Sequence, residues 1–293
     1  MNFSTLQGLT IPEGVVTQIM KDGVILWSAG GGKVILQVEK ITSNTYAGET
    51  TYSNEQFILL DIYPKTNGTV KVTYGGLTKT IKDTSGAAEP NAQQVFFGTF
   101  NGVSDSVTTP TIGELTIEGD YYAFGRGMYG YSSKYNYACG CITKILEWGS
   151  VETIPDMAFN IALKVGTASG LKGELVIPNA IKYIGKDAFG DNLQLTSVVI
   201  ESTNLVIGES AFNTLNVDEA NSRKLTVRMM ANTPPTLMST TSTSDGSVYY
   251  TNFGIVTATY LWLKEIIVPK GCGTTYKAAP GWSAYASYIV EAS

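Results

Sequence analysis

The pattern Ile-x-x-x-Ala-Phe occurs three times in the second half of the chain, at Ile154/Ala158-Phe159, Ile184/Ala188-Phe189 and Ile207/Ala211-Phe212. The residue after each Ile is Pro155, Gly185 or Gly208, a chain-reversing type every time. Each unit therefore reads as an apolar strand end, a turn and a short buried Ala-Phe segment. Successive units start 30 and then 23 residues apart, so the unit accepts insertions. Units that bury their apolar faces only against their neighbours commit this half to a stacked array. Such arrays display surfaces more often than they enclose catalytic pockets.

The strand part of the unit is legible too. Leu195, Val198, Ile200 and Leu263, Ile266, Val268 both fit an L-x-x-L-x-L strand. Segment 142–148, ITKILEW, fits less well because Glu147 falls where Ile200 sits, and it is expected as an irregular first strand. The Ser/Thr-rich stretch STTSTSDGSVYY after Met238 is polar and turn-prone, which predicts a surface loop rather than a strand. Near the end, Trp282, Tyr285, Ala286 and Ile289 have helical spacing with Ser283 as the cap, which predicts a capping helix.

The front half has a different grammar. Two β-prone runs, VVTQIM and VILWS, flank Asp22-Gly23 and predict a hairpin over 15–28. A lone hairpin is marginal in water, so Val15, Ile19, Ile25 and Trp27 are read as docking residues. Ala29-Gly30-Gly31-Gly32 follows as a hinge. From 33 to 119 come VILQV, FILLDIY, TVKVTY, LTKTI, VFFGTF and ELTI, separated by Asn67-Gly68, Gly75-Gly76 and polar stretches. That spacing predicts an antiparallel, immunoglobulin-like β-sandwich, without the Cys and Trp signature of true immunoglobulin domains.

Residues 120–142 form a Tyr/Gly-rich connector. Two readings of it stay open. Tyr121, Tyr122, Tyr129, Tyr131, Tyr135 and Tyr137 can form an adaptable ligand-binding surface, or the rings can fill the joint between domains and cap the first turn of the array. The expected fold is mostly β: a docking hairpin and Gly hinge (1–32), the sandwich (33–119), the connector (120–142), and a repeat solenoid closed by a helix (143–293).

Composition removes several functions. With 293 residues, 43% of them hydrophobic, the chain can bury more than one core. Only 15% are charged and the net charge is −5, so the basic stripe that nucleic acid requires is missing. No apolar run reaches the roughly 20 residues that span a bilayer, and membrane insertion is not expected. The first Lys is Lys21, so no secretory signal is read and synthesis in the cytoplasm is expected. Cys139, Cys141 and Cys272 are too few and too odd in number for a disulfide framework.

The runs IPNAIKYIGKDAF, LQLTSVVIESTNLVIGESAF and LKEIIVPKGCGTTYKAAPGWSAYASYIV resemble BspA-type leucine-rich repeats. The resemblance includes Pro234-Pro235, a Val-Pro strand and a Tyr-Lys…Trp-Ser-x-Tyr-Ala ending, and it covers about residues 143–290. It implies a binding scaffold of the kind found in surface adhesins, with no catalytic residues to carry over. The 30-residue step and the irregular first strand depart from that family's regular period of about 23. The front half, LTIPEGVVTQIMKDGVILWSA with a small β-domain behind it, resembles modules that bacteriophages of gut bacteria place ahead of such repeats in virion surface proteins.

Catalytic chemistry finds little support. The chain has no His, so nucleophile-His-acid catalysis is closed to it, and no G-x-S-x-G elbow is present. Cys139-Gly140-Cys141 is not a C-x-x-C pair, and Gly30-Gly31-Gly32-Lys33 lacks the spacing of a phosphate loop. No cofactor and no metal are expected. A carboxylate pair among Asp187, Asp191, Glu201 and Glu209 keeps a polysaccharide depolymerase as a third reading. The first is a non-enzymatic bacteriophage virion protein, a tail fibre or capsid decoration. Its expected partners are other virion proteins through the N-terminal segment and a host-surface glycan or protein. The second is a bacterial cell-surface adhesin. Homo-oligomerisation is left open, with no heptads to support a coiled coil.

Overall fold

The computed structural model describes residues 18–21, 24–28, 32–39, 41–42, 56–65, 67–83, 93–100, 103–104, 112–125, 141–161, 170–213, 224–241, 248–249, 251–254 and 263–293. Among them the chain is mostly β, in several sheets with one α-helix. Val15, Tyr129, Tyr131, Tyr135, Tyr137 and Cys139 lie outside the described residues.

The first strands, β1 (Gln18–Lys21) and β2 (Val24–Ser28), pair antiparallel, with Ile19 opposite Trp27 and a bulge before Met20. The front unit then runs β3 (Gly32–Glu39), β4 (Ile41–Thr42), β5 (Gln56–Pro64), β6 (Thr69–Tyr74), β7 (Leu77–Lys82) and β8 (Gln93–Phe100). It continues with β9 (Val103–Ser104), β10 (Ile112–Gly119), β11 (Tyr121–Gly125) and β12 (Ile142–Glu147). One sheet has the order β12-β3-β10-β6-β7, the other β11-β5-β8-β9 with β4 beside β5, and every pairing is antiparallel.

The period-2 alternation of apolar residues explains this unit. Val34, Leu36, Val38, Val70 and Val72 of the first sheet are buried with Ile58, Leu60, Ile62 and Phe97 of the second. Tyr74 meets Phe97 edge-on across the gap, ring centroids 5.7 Å apart. Gly75 and Gly76 turn the β6–β7 hairpin at φ 56° and 82°, a pair of left-handed positions that glycine takes without strain. Lys79 on the edge strand β7 donates to the Phe96 carbonyl and lies over the Phe96 ring at 4.1 Å. A cation held there blunts an edge that could otherwise pair with another chain.

Two boundaries differ from the expected ones. Tyr121–Gly125, read as connector, is strand β11 and pairs with β5. Within segment 142–148, read as an irregular first array strand, β12 pairs antiparallel with β3 in the front unit, Ile142 opposite Val38 and Ile145 opposite Leu36. Exposed Glu147 supplies the reason: it sits where an array strand must turn an aliphatic residue inward, so β12 cannot complete that core.

The array comprises β13 (Thr153–Ile154), β14 (Lys172–Ile177), β15 (Tyr183–Ile184), β16 (Gln194–Ile200), β17 (Val206–Ile207) and β18 (Leu225–Met229). After β19 (Thr236–Leu237) come β20 (Thr240–Thr241), β21 (Val248–Tyr249), β22 (Leu263–Val268), α1 (Gly273–Ala278) and β23 (Ile289–Glu291). Long strands stack in parallel as β14-β16-β18-β22-β23, short ones as β13-β15-β17-β19. A third ladder joins the turns: Phe159 N–H donates to Ala188 O at 2.7 Å, Phe189 to Ala211 at 2.7 Å and Phe212 to Asn252 at 2.8 Å. In this chain β2 lies beside β13.

The repeated motif acquires a physical meaning here. Ile154, Ile184 and Ile207 end the short strands, and Ala158, Ala188 and Ala211 are fully buried between rungs. The third residue after each Ile, Met157, Asp187 or Ser210, is left-handed at φ 58°, 52° and 52° and turns the chain inward. A Cβ on Gly208 would lie 2.6 Å from the carbonyl carbon of Gly185, and one on Gly185 2.5 Å from that of Pro155. Each rung thus crowds the one before it. Pro155 is tolerated because it belongs to the first short-strand rung, ahead of that column.

Phe159, Phe189, Phe212 and Phe253 form a parallel stack, with centroids 5.3, 5.1 and 5.8 Å apart and interplanar angles of 6°, 8° and 9°. Phe253 is a fourth repeat residue, hidden in the sequence because the 239–250 insertion separates it from Leu237. Asn252 stands where the other rungs have Ala, and its side-chain N–H groups hold the carbonyls of Ile207, Gly208 and Met238 at 3.0, 2.7 and 3.0 Å. The insertion, expected to be loop only, contains the short antiparallel pair β20–β21.

At the C-terminal end, Trp282 and Tyr285 close the stack against Phe253. The expected helix through Ile289 is not formed. Instead α1 is followed by a 3₁₀ turn at Trp282–Tyr285, capped by left-handed Gly281 rather than by Ser283, and then by β23. Ile289 serves the open edge of β22, where a strand satisfies backbone groups that a helix would leave exposed.

Candidate binding surface

The five-stranded parallel sheet has one face in the core and one outside. Inward residues alternate with outward ones along each strand, so the register lays the outward side chains in rows. One row is Val176, Val199, Arg228, Ile267 and Val290, each directly opposite the next across β14, β16, β18, β22 and β23. Val176 and Val290 are 39% and 43% exposed, and Met230, two residues beyond Arg228, is 55% exposed. The neighbouring row is Glu174, Ser197, Thr226 and Glu265. Its members bond in pairs: Ser197 Oγ donates to Glu174 at 3.3 Å, and Thr226 Oγ1 to Glu265 at 3.2 Å. Lys264 pairs with Glu265 at 3.1 Å.

Arg228 differs from every other charge on this face. Its exposed guanidinium enters no ion pair or hydrogen bond among the described residues. It therefore stands in the middle of an aliphatic row as a free five-donor fork.

Both ends of the sheet are fixed. The Trp148 indole N–H donates to the Val176 carbonyl at 2.8 Å, and Lys172 Nζ pairs with Glu39 at 2.7 Å, tying β14 to the front unit. Phe124 of β11 meets both Phe159 and Trp148, with ring centroids at 5.7 and 6.4 Å. At the far end, Glu291 accepts the N–H groups of Gly271 and Gly273 at 2.9 and 2.8 Å, which hold its carboxyl below the ordinary carboxylate range. Tyr276 and Trp282 donate to the carbonyls of Ala231 and Pro235 at 2.7 and 2.8 Å.

The buried polar side chains of the array bind backbone. Asn192 donates to Phe159 O and Phe189 O and accepts from Leu171 N–H, while Ser202 donates to Ile181 O. These groups tie one rung to the next. The turn edge carries charge of its own: Lys186 pairs with Glu209 at 2.8 Å, and its backbone N–H donates to Asp156 at 2.7 Å. The hydrogen bond to Glu209 raises the Lys186 pKa. Burial, and then Asp156 and Glu209, pushes Tyr183 up to about 12. Burial also raises the Asp187 carboxyl, against the neighbouring Lys186 charge.

The structure distributes the expected contact residues unevenly. Tyr121 is fully buried and packs on Phe124 at 6.5 Å, so it belongs to the joint rather than to a ligand surface. Tyr122 lies in β11, and Ile19, Ile25 and Trp27 lie in β1 and β2. Cys141 is buried immediately before β12. Asp187 and Glu209 come to adjacent rungs of the turn edge, away from the sheet row, whereas exposed Glu201 follows the buried end of β16. Nothing local in the sequence marks Arg228; only the lateral register, which joins it to Val199 and Ile267, 29 and 39 positions away, places it among aliphatic neighbours.

Among the described residues no group of three or more His, Cys, Asp or Glu is placed to hold a metal ion, and no helix is long and apolar enough to cross a membrane. The chain matches no protein-family model and no curated protein.

Proposed function

We propose that this chain is a non-enzymatic bacteriophage virion protein, attached to the particle through residues 1–28 and presenting its array to the host surface. On this reading the front unit is an immunoglobulin-like spacer and the array is a BspA-like leucine-rich-repeat solenoid. The observation that carries the reading is the fixed, outward sheet face with Arg228, unpartnered among the described residues, borne on an array whose buried Asn and Ser side chains are engaged in holding rungs together. Rigid presentation of a lateral surface is what a stacked array does well.

A particle-incorporation experiment tests the attachment half. Virions assembled with the chain lacking residues 1–28 should contain none of it by quantitative mass spectrometry, whereas virions with the full chain retain it. Undiminished incorporation of the truncated chain would remove the docking role.

A further inference from the structure

We infer that the outward row centred on Arg228 binds a carboxylated glycan, with the Arg228 guanidinium holding the sugar carboxylate. The inference rests on the reading of this face as host-facing and adds the ligand class.

Two adjacent rows of different chemistry carry it. Sugar rings are amphipathic, with C–H faces and hydroxyl edges. Val199 and Ile267, on either side of Arg228, offer aliphatic contact for C–H faces. The next row offers the Glu174 and Glu265 carboxylates, which accept hydrogen bonds from hydroxyls while already oriented by Ser197 and Thr226. A carboxylate donates nothing and suits hydroxyl edges, but it repels a second anion. Among the described residues of these two rows, Arg228 is therefore the position where a ligand carboxylate gains, and its planar fork takes both carboxylate oxygens at once.

The dimensions agree with a short saccharide. Five parallel strands about 4.8 Å apart make a row about 19 Å long, and two outward rows cover roughly 300 Å². Stable protein–protein contacts bury about 800 Å² per partner. A second copy of this chain or a folded protein docked only on these rows would fall well short of that area. An oligosaccharide laid along the row needs no such area.

The test uses the full chain and defined probes: polygalacturonate, its methyl ester, sialyllactose and dextran, with binding read by calorimetry at 50 and 300 mM salt. Binding to polygalacturonate is expected for a ring carboxylate, and to sialyllactose for a sialic carboxylate. Either result, with affinity falling at high salt and no binding to the ester or to dextran, supports the inference. Arg228→Ala should lower affinity about tenfold or more, and Arg228→Lys less, since a point charge replaces the fork. Circular dichroism unchanged from the parent confirms that the variants fold. Equal binding by Arg228→Ala, equal binding of the methyl ester, or no binding to either acidic probe overturns the inference. Failure with the glycans while the full chain still blocks particle adsorption removes only the ligand class. Failure of both removes the host-binding role as well.

Discussion

Phe189 is the residue at which the packing account is most exposed to test. Its ring is buried and lies parallel to Phe159 and Phe212, 5.3 and 5.1 Å away. Truncation to Ala should cost about 3–5 kcal/mol, the usual range for a buried Phe, which is a large share of the roughly 5–15 kcal/mol that a folded protein has. Phe189→Leu is the sharper probe. It keeps most of the apolar volume and removes two ring pairs, each contributing about 0.5–1.5 kcal/mol beyond buried area, so the expected loss is about 1–3 kcal/mol. Urea unfolding followed by tryptophan emission measures it. A double-mutant cycle adds a second criterion. Phe189 and Phe212 touch and should couple by about 0.5–1.5 kcal/mol. Phe159 and Phe253, separated by two rings, should be additive within about 0.5 kcal/mol. If Phe189→Leu were neutral, or the distant pair coupled as strongly as the adjacent one, the stack would not be the nearest-neighbour spine described here.

Gly208→Ala brings a Cβ to 2.6 Å from the Gly185 carbonyl carbon, so it should destabilise by about 1–3 kcal/mol in the same assay, whereas Pro155→Ala should cost less. The N–H groups of Gly271 and Gly273 lower the Glu291 pKa below its ordinary value of 4.5, so its contribution is present at neutral pH and is lost as pH falls below about 4.5. Glu291→Gln should therefore melt below the parent at pH 7, and the difference should shrink at pH 3; a constant difference would contradict the assignment. Burial raises the Tyr276 and Tyr285 phenols above 10.0, so stability should be full below pH 10 and decline as pH rises past it. Phenolate absorbance at 295 nm from these two should appear only together with loss of near-ultraviolet dichroism.

How much of this was legible depended on sequence distance. The Ala-Phe turns and the inward alternation of Leu195, Val198 and Ile200 are local, periodic patterns, and they describe side chains that the structure buries. Phe253 belongs to the same stack but was invisible, because an insertion moved it away from Leu237 while the register of the rungs stayed intact. The partner of β12 could not be read from ITKILEW, since β3 lies more than a hundred residues earlier and competition for an open edge decides the pairing. The same competition turned Ile289 from an expected helical position into a strand residue. Tyr121 carried an ambiguous signal: a Tyr among glycines suits a contact loop, and only the pairing of β11 with β5 puts the ring inside. Arg228 shows the limit for function, because its meaning comes wholly from the neighbours that lateral stacking provides.

Adsorption competition tests the central claim most directly. Host cells preincubated with excess purified full-length chain should take up particles more slowly, in proportion to the chain added, and the Arg228→Ala chain should compete at least about tenfold more weakly. Adsorption that proceeds at the same rate with and without the chain would contradict the claim that the array faces, and binds, the host surface.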